Sequence, residues 1–327
     1  MRKIITLTII VCMLVPLFGC GAANNAGTTT ESNQTEETLQ PGPLDGKKII
    51  FIGNSHTHVG NVVTNVGVKK LTQEDREHDK GLFYLLCKQL GNEVNVVSWT
   101  FGNHGLASLF GYPCSVDAAC KDQMHENYLT DRKFDYVVIQ PGVGENSEKN
   151  IERDINYIVD FFRKANPDVK FVLLGNASVY GNNKTNQPYL GIMKYYKALD
   201  EKGFIMADWG KLVNDLIHNT VTPEGSSVKY NKSTFIVKDG FHPNYLCGYI
   251  ASVMTYCAIT GESAADIPAD MFQNSAMVAA LDAHLAPKYN NPDIDTNCKA
   301  ILTTQSELEK IHQLIDKYLA EKPYLKN

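Results

Sequence analysis

Short apolar runs recur along the chain at 47–53 (KKIIFIG), 93–99 (EVNVVSW), 134–140 (FDYVVIQ), 169–175 (VKFVLLG) and, more weakly, 204–208. Runs this short, rich in Ile and Val and apolar at consecutive positions, predict buried parallel strands. Between them the period changes. Residues 148–164 put Ile151, Ile155, Ile158, Val159 and Phe162 on one helical face. Residues 81–90, 189–202 and 211–218 are further helical stretches. Residues 244–260 are apolar nearly all round, which predicts a helix packed on every side. Residues 306–322 place Leu308, Ile311, Leu314, Ile315 and Tyr318 on a single stripe, as expected of a helix docked on the domain surface. Strands alternating with helices predict an α/β fold with a parallel sheet covered on both faces.

The N-terminal region breaks this pattern. Arg2 and Lys3 precede an apolar run from Ile4 to Val15, too short for a mature membrane span, and Leu17-Phe18-Gly19-Cys20 follows. This predicts an export signal over 1–20 ending in a bacterial lipobox, with Cys20 lipidated and the protein held at the membrane outside the cytoplasm. Residues 21–46 carry no aromatic, Lys or Arg and little to bury, so they predict a disordered tether. The remaining stretch, 47–327, is long enough for one catalytic domain.

Composition narrows the function. The chain is 43% hydrophobic and 20% charged with a formal net charge of −5, and no basic stripe runs along it, so nucleic acid is not an expected partner. Besides Cys12 and Cys20 there are Cys87, Cys114, Cys120, Cys247, Cys257 and Cys298. Cys87, Cys247 and Cys257 fall in apolar helical stretches and read as small buried hydrophobes. Cys114 and Cys120 flank a short loop and could pair or stay as thiols. No CxxC or zinc-like spacing occurs.

The chemistry-bearing residues sit at strand ends, where an open parallel sheet binds its ligands. The first strand ends in Gly53-Asn54-Ser55-His56-Thr57, a tight turn that presents Ser55 at the rim. A serine hydroxyl needs a base, and Asp239-Gly240-Phe241-His242-Pro243 supplies one. Asp239 and His242 in a turn held by Gly240 and Pro243 can set the carboxylate beside one imidazole nitrogen and leave the other for Ser55. Alone, Ser55 reads as the cap of a following helix; together with the Asp–His pair it reads as a nucleophile.

GNSHT at the end of the first strand and DGFHP just before the last large apolar helix resemble the first and last blocks of the SGNH (GDSL-like) hydrolase superfamily. The resemblance spans roughly 47–261. It implies a three-layer α/β/α sandwich with a five-stranded parallel sheet, of flavodoxin-like type. It also implies a Ser55–His242–Asp239 triad acting on carboxylic esters. By the same resemblance the oxyanion hole takes backbone N–H groups from Ser55 and from a glycine after the second strand, Gly102 or, in reserve, Gly105. The family's third block, GxND, has no counterpart; Gln140 at the strand end, or Asn146, is the amide that stands nearest to it. No metal or organic cofactor is implied. The resemblance does not choose among lipids, thioesters and acetylated sugars. An anchored enzyme outside a bacterial cell meets polysaccharide first, which favours O-acetyl groups on carbohydrate as substrate. The rival of another class is a glycan-binding lipoprotein without turnover; a metal-dependent phosphoesterase is a third.

Neighbouring residues have plainer roles. His56 and His58 could join Asp239 and His242 around zinc, but histidines on a rim read first as solvated or supporting groups, so no metal is expected. His104 reads as an exposed loop residue, and Asn176 and Ser178 as turn residues. Trp99 and Trp209 could stack on a sugar; burial suits Trp99 better.

Overall fold

Alternation along the first strand sets the architecture. In β1 (Lys48–Gly53), Ile49 and Phe51 point into one core while Ile50 and Ile52 point into another. The computed structural model describes residues 41–63, 78–100, 102, 105–106, 133–141, 148–176, 190–237, 240–270 and 304–323. These fall within the unit Leu39–Asn327. Four further strands, β2 (Asn95–Thr100), β3 (Tyr136–Ile139), β4 (Lys170–Leu174) and β5 (Ile205–Ala207), complete a five-stranded sheet in the order β2-β1-β3-β4-β5. Every pairing is parallel. This is the doubly wound, flavodoxin-like order, whose switch point lies between β1 and β3.

The helices cover both faces. α1 (Ser55–His58) and α2 (Leu82–Gln89) follow β1, and α3 (Glu148–Ala165) and α4 (Leu190–Glu201) flank β4 in the chain. α5 (Trp209–Ile217), α6 (Lys232–Phe235), α7 (Tyr245–Thr260) and α8 (Gln305–Glu321) complete the order. One core gathers Phe51, Val138 and Val172 with Phe83, Leu212, Tyr249, Ile250 and Ile311. The other gathers Ile50, Trp99 and Leu173 with Ile155, Phe162 and Tyr196. The result is the expected three-layer α/β/α sandwich. Both tryptophans go to these cores, each 1% exposed, so neither Trp99 nor Trp209 offers a sugar platform.

α7 is apolar all round because it is enclosed: every residue from Tyr245 to Cys257 is buried. Among the described residues no helix is long and apolar enough to cross a membrane. α8 lies against α7 through the stripe read from the sequence, with Leu308, Ile311, Leu314, Ile315 and Tyr318 all buried. Burying each of its Leu and Ile side chains contributes roughly 1.5–3 kcal/mol, which is enough to hold an amphipathic tail.

The packed unit begins upstream of the expected boundary. Residues 41–46 form a turn whose Leu44 is 1% exposed. The Leu44 N–H donates to Asn92 Oδ1 at 2.7 Å, and the Gly46 N–H donates to the Glu93 carbonyl at 2.8 Å. One leucine with a buried amide partner outweighs the polar composition around it. Cys87, Cys247 and Cys257 are buried thiols, as expected; Cys114, Cys120 and Cys298 lie outside the described residues, as do the signal and most of the tether.

Candidate active site

The serine is presented by a cap that is not the serine. Asn54 is the N-cap of α1, its Oδ1 accepting from the His56 N–H at 3.0 Å. Ser55 is therefore the first residue of the helix, half-buried at the end of β1, with its own hydroxyl released from capping. Its backbone N–H is among the first-turn amides that have no acceptor within the helix, which is the position an oxyanion donor needs. Gly53 makes the turn possible. A Cβ there would lie 2.3 Å from Thr57 Oγ1 and 3.2 Å from Gln140 Cβ. That space is used: Thr57 Oγ1 donates to Gln140 Oε1 at 2.8 Å, tying the end of β3 to the first motif. The Gln140 amide nitrogen donates to the Pro141 carbonyl.

The second motif is a short antiparallel clasp. Ile236 and Pro243 form a bridge, the Val237 N–H donates to the His242 carbonyl at 3.0 Å, and the Asn244 N–H donates to the Phe235 carbonyl at 2.8 Å. The Gly240 N–H closes a turn onto the Val237 carbonyl, and Gly240 sits at φ +74°, the left-handed conformation that costs glycine little. Asn244 then caps α7, its Oδ1 accepting from the Cys247 N–H while its Nδ2 holds the Thr234 carbonyl. His242 thus stands two residues before a capped, buried helix, on a loop fixed at both sides. Asp239 lies outside the described residues.

A glycine-to-glycine contact brings the two motifs together. Gly60, after α1, packs against Gly248 in the second turn of α7 so closely that a Cβ on Gly248 would lie 1.6 Å from the Gly60 carbonyl oxygen. The same loop is held on its other side by α2, where the Leu82 and Phe83 N–H groups donate to the carbonyls of Asn61 and Val62. Pinned between α2 and α7, the first motif meets the second at the carboxyl end of the sheet. There the His242 ring stacks on His56, the residue after Ser55, at 5.1 Å between centroids and 29° between planes. Phe241 meets His56 edge-on at 4.5 Å and His242 at 5.1 Å.

Three imidazoles therefore crowd the site. His56 and His58 are buried rather than solvated. His58 Nδ1 lies 3.1 Å from Thr100 Oγ1 at the end of β2, and Ser98 Oγ extends that chain at 3.1 Å. Burial above all, then repulsion from His242 and His56, pushes the His58 imidazole down to about 3. His58 is neutral at any ordinary pH. It consequently adds no positive charge to oppose an imidazolium forming on His242.

Of the other residues read from the sequence, Gly102 is exposed just beyond β2 and Gly105 half-buried, while Gln140 is buried at the end of β3. Asn176 is buried beyond β4. Asn146, His104, Ser178 and Cys20 lie outside the described residues. Among the described residues no group of three or more His, Cys, Asp and Glu side chains is placed to hold a metal. Sequence reasoning missed the structural roles of Thr57, Gly60, Gly248, His56 and Phe241. Apart from Gly248, which lies within the apolar stretch 244–260, they stand in the motif strings themselves, GNSHTHVG and DGFHP, but contact partners decide their roles and a string does not list them.

No protein-family model matches the sequence, and no curated protein matches it. Several solved structures are similar in outline. LAE5, an alpha/beta hydrolase enzyme from the metagenome of Lake Arreo, is 15% identical over 66% of this chain and 96% of its own, with a TM-score of 0.45. A mutant of an acetyl-xylooligosaccharide esterase from Geobacillus is 14% identical over 67% of this chain and 95% of its own, at 0.42. A Clostridium thermocellum family 3 carbohydrate esterase is 13% identical over 64% of this chain and 93% of its own, at 0.40.

Proposed function

We propose that the domain is a serine esterase of the SGNH type that cleaves carboxylic esters by acyl transfer. The single observation that carries this is the seating of the His242 ring on His56, immediately after Ser55, at the carboxyl end of the parallel sheet. In the proposed cycle Ser55 Oγ attacks the ester carbonyl as His242 takes its proton, and Asp239 orients the imidazole and stabilises its cation. The Ser55 and Gly102 N–H groups, with the Gln140 carboxamide turned from Pro141 or Asn146 in its place, hold the oxyanion. His242 then hands the proton to the departing alkoxide, and water releases the acyl group by the same steps in reverse roles. The scheme needs no metal or organic cofactor.

Two finer proposals accompany it. The substrate is an O-acetyl ester on carbohydrate, and the protein reaches it outside the cytoplasm, anchored through a lipid on Cys20. Export and anchoring rest on the residues of 1–20, and the substrate rests on that location.

The test is turnover of p-nitrophenyl acetate by Ser55→Ala and His242→Ala, with folding followed by circular dichroism. Each variant should lose ester hydrolysis while keeping the parent's fold. Near-parental turnover in either would overturn the assignment.

A further inference from the structure

Of the three imidazoles at the site, His242 is the proposed base and His58 lies against Thr100, while the cycle gives His56 no part. His56 is 3% exposed, so it does not reach substrate. It is nevertheless firmly placed. It stands next to Ser55 in the same turn of α1, its backbone N–H donates to the Asn54 cap at 3.0 Å, and Phe241 meets its ring edge-on. Against it lies the ring of His242, with centroids 5.1 Å apart and planes 29° from parallel. That separation falls within the range of about 4.5–7 Å at which flat rings attract one another in offset stacks.

We infer that His56 is a positioning residue for the reaction: its ring is the plate that keeps the His242 imidazole tilted as it must be to take and return the Ser55 proton. The inference rests on the esterase assignment above and adds a residue that acts only through His242. A hydrogen bond at an imidazole nitrogen lies in the plane of the ring. Bonds to Asp239 at one nitrogen and Ser55 at the other therefore fix two points and leave the ring able to rock about the line that joins them. Rocking turns both nitrogens off their partners, and a misplacement of about 1 Å at a reacting group can cost about 10²-fold in turnover. A flat ring laid against the face of His242 opposes that motion, whereas a branched or flexible chain of similar bulk does not. The plate also shares a helical turn with the nucleophile. A shift of α1 thus carries Ser55 and the support of His242 together, and the pair stays in register.

Three substitutions separate the shape of the ring from its bulk and polarity: His56→Phe keeps a flat ring, and His56→Leu and His56→Gln have none. Each is compared with the full parent chain on p-nitrophenyl acetate, both half-reactions of which draw on His242 as base, with Ser55→Ala as blank and circular dichroism to follow the fold. His56→Leu and His56→Gln should each lower kcat about tenfold, a part of the roughly 10²–10⁴-fold that acid–base catalysis supplies. Their KM should stay within about twofold of the parent, since His56 touches no substrate. His56→Phe should return kcat to within about threefold of the parent, which a need for the ring nitrogens would forbid. Where one ring-less variant does not fold, the other carries the comparison. A folded ring-less variant with parental kcat, a loss confined to KM, or a His56→Phe protein as slow as the ring-less ones overturns the inference while leaving the esterase assignment intact. Turnover that persists in Ser55→Ala, or is absent from the parent, overturns the assignment and the inference with it.

Discussion

Replacing Gly248 by Ala separates what a helix wants from what this site needs. In the interior of α7 the change should help, since alanine exceeds glycine in helix propensity by about 1 kcal/mol. Here the new Cβ would lie 1.6 Å from the carbonyl oxygen of Gly60 and 2.5 Å from its carbonyl carbon. Neither is the end of a flexible side chain. Restoring an ordinary contact requires α7 and the loop after α1 to part by more than an ångström. Overpacking against backbone costs about 3 kcal/mol at the upper end of the usual range. After the helix gain, the net loss is about 2 kcal/mol, or about 4–8 °C in Tm for a domain of this size. The same separation moves Ser55 relative to His242, and a misplacement of about 1 Å can cost about 10²-fold in turnover. Thermal denaturation and kcat on one acetyl ester read both effects. A Gly248→Ala protein with parental or higher Tm and parental kcat would refute the claim that the Gly60–Gly248 contact holds the two motifs in register.

Other expectations follow from the same residues. Burial holds His58 near 3 and His312 near 4, both below the ordinary 6.5; between those values the unfolded chain binds protons that the folded chain does not. Stability is thus full above about pH 6.5 and is lost as pH falls toward 4, each histidine accounting for about 2 kcal/mol between pH 7 and pH 5; equal urea midpoints at the two pH values would contradict this. Gln140→Ala should lower kcat by about 10²–10³ with little change in KM, and parental kcat in both Gln140→Ala and Asn146→Ala would mean that the hole is built of backbone N–H groups alone. Cys20→Ser should release the protein from the membrane fraction or block its processing; unchanged fractionation and mobility would exclude Cys20 as the anchor.

Much of the fold was legible because its signals are local. The five runs became the five strands, and the stripe over 306–322 became α8 with the same five residues inward. The helix after β1 was anticipated only as one for Ser55 to cap; four residues carry no period, and the cap proved to be Asn54, one residue earlier. Leu44 was missed because its burial depends on Asn92, far along the chain. The site was legible as two strings and illegible as an arrangement. Nothing near Ser55 announces that Gly60 must be bare for Gly248, or that His56 will carry the ring of His242. Of the two roles expected of His56 and His58, solvated or supporting, burial excludes the first for the same reason: α1, which bears them, is covered, and the turn that follows it is held between α2 and α7.

The central claim is that Ser55 is an activated nucleophile served by His242. A fluorophosphonate reacts with activated serines and not with ordinary surface hydroxyls. Labelling the full chain and locating the adduct by peptide mass spectrometry should place it on Ser55, with labelling lost in Ser55→Ala and strongly slowed in His242→Ala. A folded parent protein that takes no label, as a glycan-binding domain without turnover would behave, or one labelled at another serine, would contradict the account.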